Sequence, residues 1–237
     1  MSAREASGGR REEAKPTMPP TQFGPVPSPK FYVSYAWRDA SDPAREQKVD
    51  AACEAGQKRG TLIIRDRTTL RTGDRISQFM QAIGLGDRIF VFLCDKYLKS
   101  WFCMYELFEI WRNSRQDEAE FVRRVRVFTL DDVQIWSVRD RLEYARWWNE
   151  RQGELKADLQ GHDPTLLSER DFRQFRAMRD FARHVGDILA LFADTVLPRS
   201  FDEFLKYGFD DPPLADPTFL PSPRTSGNGA RPTSGSA

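Results

Sequence analysis

The run Ser100-Trp101-Phe102-Cys103-Met104-Tyr105-Glu106-Leu107 sets a carboxylate among aromatic side chains, shortly after the apolar stretch at residues 88–94. Beside apolar surface, a glutamate loses hydration of its charged form, so its ionisation and hydrogen bonding become adjustable. Such a group can stabilise positive charge growing on a reacting carbon, or position a water molecule. Phe102 and Cys103 precede Glu106 by about one helical turn and share its face. Phe102 there either stacks on a flat ligand ring or packs conventionally. Glu109, one turn further on, is the competing carboxylate. Cys103 has no histidine near it in the sequence to activate a thiolate, and reads as a packing residue. His162 and His184 are isolated, with no cysteine pair at metal spacing, so no metal site is expected.

A second chemical cluster follows the first β-rich run: Tyr35, Ala36, Trp37, Arg38 and Asp39. In open α/β sheets, ligands bind at the carboxyl ends of the strands, so this loop is expected to form one wall of a pocket. Trp37 could stack on a base and Arg38 could pair with a pyrophosphate. The alternative is a solvent loop with one anchored aromatic. Gly84-Leu85-Gly86 is not a dinucleotide fingerprint, because it follows a helix and precedes a strand.

Strands and helices alternate to position these groups. Residues 31–35 form a first strand after Pro29. Residues 43–58 have helical spacing, with Gly60 as C-cap. Residues 61–64 form a second strand, and residues 65–75 a polar loop with Thr72-Gly73-Asp74 as a turn. Residues 76–85 form a short amphipathic helix. Residues 88–94 are apolar without alternation, as in a central strand covered on both faces. Residues 101–111 form a helix and residues 124–130 a fourth strand. This order predicts a parallel sheet wrapped by helices. Residues 138–159 and 172–197 read as extra C-terminal helices. In the second, Phe172, Phe175, Met178, Phe181, Val185, Ile188 and Phe192 make an apolar stripe that is either core or a surface for self-association. Residues 1–29 and 208–237 are rich in Pro, Gly and Ser and are expected to be disordered tails, which leaves residues 30–207 as one folded domain.

The 36 Lys and Arg residues balance 35 Asp and Glu, which gives no global electrostatic case for nucleic acid or an anionic membrane. The odd count of three cysteines favours reduced thiols over a disulfide framework. The N-terminus lacks the apolar core of a signal peptide, and no apolar run reaches membrane-spanning length. A cytoplasmic location is the expectation.

Three blocks carry a resemblance. Phe31-Tyr-Val-Ser-Tyr35-Ala is similar to the aromatic, apolar opening strand of the Toll/interleukin-1 receptor (TIR) family. Arg65-Asp66-Arg-Thr-Thr-Leu70-Arg-Thr-Gly73-Asp74 resembles that family's loop after the second strand. Residues 100–106 resemble its Ser-x-Trp-Cys-x-x-Glu-Leu helix. The resemblance covers residues 30–135 best. It implies a flavodoxin-like, five-stranded parallel sheet with helices on both faces.

The resemblance also implies cleavage of NAD at the nicotinamide–ribose bond, by hydrolysis or cyclisation. NAD is then the substrate, and no cofactor is called for. Glu106 takes the catalytic position. Tyr35, Trp37, Arg38, Ile64, Asp66, Trp101 and Phe102 take substrate-binding positions, and Leu70, Gly73 and Asp74 belong to a loop that mediates TIR–TIR contacts. Activity would be switched on by self-assembly or by a separate sensor or activator protein, in a bacterial immune setting such as antiphage defence. Some features depart from the family pattern. Trp101 sits one position early, with Phe102 where the family has its tryptophan. Ile64 stands where hydrolytic members carry an aromatic, and the loop lacks a Pro-Gly pair. The rival readings are a non-enzymatic TIR scaffold or host-adaptor mimic, and a flavodoxin-like nucleoside deoxyribosyltransferase.

Overall fold

The computed structural model describes residues 28–37, 43–160 and 168–210. Most of both expected tails lies outside the described residues, as do Arg38, Asp39 and His162.

Strand β1 (Phe31–Tyr35) pairs in parallel with β2 (Ile63–Ile64) on one side and β3 (Arg88–Leu93) on the other, and β3 pairs with β4 (Val125–Thr129). The order is β2-β1-β3-β4. These are the first four positions of the flavodoxin-like arrangement. The expected fifth strand is absent among the described residues. The chain after β4 forms helix α7 (Val138–Asp158) and helix α8 (Glu169–Asp194), and the link at residues 195–198 pairs with no strand.

The unbroken apolar run of β3 has the expected consequence, since all six of its residues are buried. Side chains alternate across the sheet. Register places Tyr32 and Ser34 on one face and Val33, Phe90 and Phe92 on the other. The first face meets α3 (Ile76–Gly84) and α5 (Trp101–Asn113), with Tyr32 edge-on to Phe79. The second meets α9 (Phe201–Phe209), whose Phe204 packs on Phe90, Phe92 and Phe128. Burying one such phenylalanine contributes roughly 2–3 kcal/mol. Helix α1 (Pro43–Lys58) also contacts α9 and β2. The sheet is therefore covered on both faces.

Several short elements escape local periodicity. They are α2 (Asp66–Thr69), α4 (Asp95–Leu98), α6 (Glu118–Arg124) and α9. Arg124, expected at the start of β4, instead ends α6. Its guanidinium donates to the carbonyls of Gly84 and Gly86 and to the Ser114 hydroxyl. Helix α9 runs to Phe209, two residues past the expected end of the folded unit at 207, because Gly208 lies against the Phe90 ring. The stripe on α8 resolves mainly as core. Phe181, Val185, Ile188, Leu189 and Phe192 are buried, and Phe181 packs on Trp101, Phe108 and Trp148. Phe172, at the start of the same helix, remains exposed.

Candidate active site

β1 and β3 are neighbours, while the chain leaves β1 for β2 on the opposite side. Their carboxyl ends thus form a topological switch point, where the backbones diverge and leave a crevice. The crevice is occupied from below by α5. Ser100 caps that helix by accepting from the Cys103 amide. Helical spacing then turns Phe102, Cys103 and Glu106 toward a cleft of about 200 Å³.

Glu106 lies at the base of this cleft and is 7% exposed. Its Oε2 accepts a hydrogen bond from Ser34 Oγ at 2.5 Å, and Ser34 Oγ lies 2.8 Å from the fully buried Tyr97 hydroxyl. Burial pushes the Glu106 carboxyl up to about 8, against the opposing effect of the Ser34 hydrogen bond, and the negative charge of Asp66 adds to the rise. A buried acid that stays near neutrality is suited to proton transfer and to holding a negative charge on demand.

The β1 side of the cleft is built by Tyr35, Ala36 and Trp37. The Trp37 indole donates to the Asp66 carboxylate, and Arg65 donates to the Tyr35 hydroxyl at 2.8 Å. Lys96 donates to the Trp37 carbonyl at 3.0 Å and stands at the cleft wall. Ile76 and Phe79 of α3 close the third side. Trp37 and Phe102 are each about half exposed (51% and 52%), so two aromatic faces stand at the rim above a buried carboxyl.

Of the residues expected from sequence, Glu106, Tyr35, Trp37, Asp66 and Phe102 converge on one cleft. Ile64 and Trp101 do not line it. Ile64 packs against the core, and the Trp101 ring turns away to Phe181 and Tyr105. Arg38 lies outside the described residues. Leu70 is half-buried against the core, Asp74 caps the Arg71 amide, and Gly73 has φ +103°, the left-handed conformation the expected turn requires. These three also lie away from the cleft lining. Glu109, the competitor, is buried but pairs with Arg112 at 2.7 Å and does not line the cleft. The Cys103 thiol is pushed well up by burial and donates to the Tyr35 carbonyl at 3.6 Å, which leaves it without thiolate character.

Comparison with known proteins adds little. No family model matches the chain, and no curated protein matches it. Among solved structures, the TIR domains of the activated Roq1 resistosome, which directly recognises the pathogen effector XopQ, are similar at 23% identity and a TM-score of 0.42. That likeness covers 66% of this chain and 84% of that one.

Sequence reasoning missed Ser34, Lys96 and Tyr97. Ser34 had a signal, as the one small polar residue in a strand otherwise aromatic and apolar. Tyr97 and Lys96 sit on α4, a single turn too short for periodicity to reveal. Two wider hollows, of about 350 and about 580 Å³, lie elsewhere. The first, lined by Asp132, Glu143 and Glu150 among others, and the second, around Arg115 and Arg123, present mainly exposed charged side chains. Neither contains a buried carboxyl. No group of three or more metal-ligating side chains occurs among the described residues.

Proposed function

We propose that this chain is a TIR-family enzyme that cleaves NAD between nicotinamide and ribose, with Glu106 as the catalytic carboxylate. The observation that carries the reading is the placement of Glu106: buried at the base of a strand-end cleft, held by Ser34 and overlooked by exposed Trp37 and Phe102. The three sequence blocks support the family reading, because residues of all three (Tyr35, Asp66 and Glu106) meet at that cleft.

Nicotinamide leaves as a neutral pyridine and needs no proton. The barrier lies in positive charge growing on the ribose as the bond lengthens. One negative group beside the sugar is sufficient to lower it, and a low-dielectric site strengthens the effect. With its carboxyl held at about 8, Glu106 is ionised in roughly one empty molecule in ten at pH 7. The pyridinium of a bound NAD is an opposite charge at short range and favours the ionised form. Substrate binding would therefore generate the catalytic anion. The cleft volume of about 200 Å³ lies below the roughly 300–1,000 Å³ of whole-ligand pockets and suits the nicotinamide riboside end alone. The remainder of the dinucleotide would extend along Trp37 and Lys96.

Self-association through the loop around Leu70, Gly73 and Asp74 would complete or close this shallow site, and a separate activator could drive that assembly. A role in bacterial immunity follows from the family reading. A second reading, a non-enzymatic TIR–TIR scaffold or host-adaptor mimic, is favoured by the same exposed Trp37 and Phe102, which suit a protein contact equally well.

The deciding experiment is product chromatography of NAD incubated with the purified chain at low and high concentration, beside Glu106→Ala. Free nucleosides are run in parallel. Turnover that rises with protein concentration and vanishes in the variant supports the enzyme. Turnover unchanged in the variant removes Glu106 from the mechanism. Cleavage of free nucleosides in preference to NAD points to a deoxyribosyltransferase. No turnover of any substrate favours the scaffold.

A further inference from the structure

The described contacts engage only one oxygen of Glu106. Ser34 Oγ donates to Oε2 at 2.5 Å, and the Ser34–Tyr97 hydroxyl contact is 2.8 Å. Serine has a single hydroxyl proton. If that proton is committed to the carboxylate, the second contact must be a donation from Tyr97 to Ser34. The three groups thus form an ordered chain, Tyr97 to Ser34 to Glu106, while the carboxylate is ionised. All three are buried, and they come from three separate elements, α4, β1 and α5. Burying an unsatisfied polar group is costly, whereas a fully connected chain of them fixes its members in place.

We infer that Ser34 and Tyr97 are positioning residues for Glu106: their two hydroxyls hold Oε2, leave Oε1 directed to the ligand, and set the pH at which the carboxylate becomes available. This rests on Glu106 being the working group of the cleft. The other charged or titratable groups that face this carboxyl are Asp66 from α2, Lys96 from α4, Tyr35 from β1 and Cys103 from its own helix. Helix α3 contributes Ile76 and Phe79, which carry no charge. Among these neighbours, Ser34 alone donates a described hydrogen bond to the carboxylate, so its removal should act in one direction.

The test is ¹³C NMR titration of the full chain labelled at glutamate, with the Glu106 signal assigned by its loss in Glu106→Gln. The pH dependence of kcat/KM for NAD is measured on the same proteins. In Ser34→Ala the Glu106 midpoint should rise by about one pH unit, because a hydrogen bond to the charged form has been lost. Tyr97→Phe should shift it in the same direction by less, and Ser34→Thr should restore the original value. The rising limb of kcat/KM should move with the midpoint. A midpoint that stays in place in folded Ser34→Ala overturns the inference. If Ser34→Ala does not fold, an unmoved midpoint in Tyr97→Phe does the same. Absence of NAD turnover in the unaltered chain would refute the proposed reaction while the titration still decides the positioning role.

Discussion

Replacing Glu106 by Gln should make the protein more stable, and increasingly so as pH rises. Burial raises the Glu106 carboxyl from an ordinary 4.5 to about 8. A carboxyl raised on folding keeps its proton in the native state over a range where the unfolded chain has already lost it. Stability therefore falls as pH climbs from the unfolded value towards the folded one, by about 1.4 kcal/mol per unit. Between pH 5 and pH 8 this amounts to on the order of 3 kcal/mol that the native protein loses and Glu106→Gln does not. The glutamine amide occupies the same volume and can still accept from Ser34, so no cavity offsets the gain. For a domain of this size, the difference corresponds to a melting-temperature gap widening by about 6–12 °C. The assay is urea unfolding of both proteins at several pH values across that interval. All other ionisable groups are common to the pair, so the difference between the two curves isolates Glu106. A difference that stays constant across the interval would refute the reasoning and mean that the carboxyl is not held neutral. A gain in stability on removing Glu106 is the pattern expected if a functional role has kept the carboxylate there at the expense of the fold.

Two further outcomes follow from packing. In Gly208→Ala, the added methyl would lie 2.5 Å from the Phe90 ring, which six-residue strand β3 holds in the middle of the sheet; unfolding should show a loss of about 1–3 kcal/mol. Phe102→Ala and Trp101→Ala should separate cleanly despite being adjacent. The exposed Phe102 should raise the KM for NAD with little change in melting, whereas Trp101, packed on Phe181 and Tyr105, should cost about 3 kcal/mol of stability measured by denaturation.

The strands at residues 31–35 and 88–93, the helix at Pro43–Lys58 and the α7–α8 pair were legible in the sequence, because each is encoded by an uninterrupted local pattern. The apolar setting of Glu106 was legible too, since its aromatic neighbours lie within one turn. The assignment of Trp101 and Phe102 was not. Two adjacent aromatics at a helix start look alike in sequence, and only the arrival of Phe181 from α8 decides which one packs inward. The fifth strand was expected from resemblance, whereas the described residues after β4 form α7, α8 and α9. The Tyr97–Ser34–Glu106 chain was beyond local reading, because its contacts join residues 63 and 72 positions apart. Local periodicity determines which segments become strands and helices and which faces are apolar. Only the folded sheet, by bringing the ends of β1 and β3 over α5, decides which polar atoms share a buried space and how strongly burial shifts their charge.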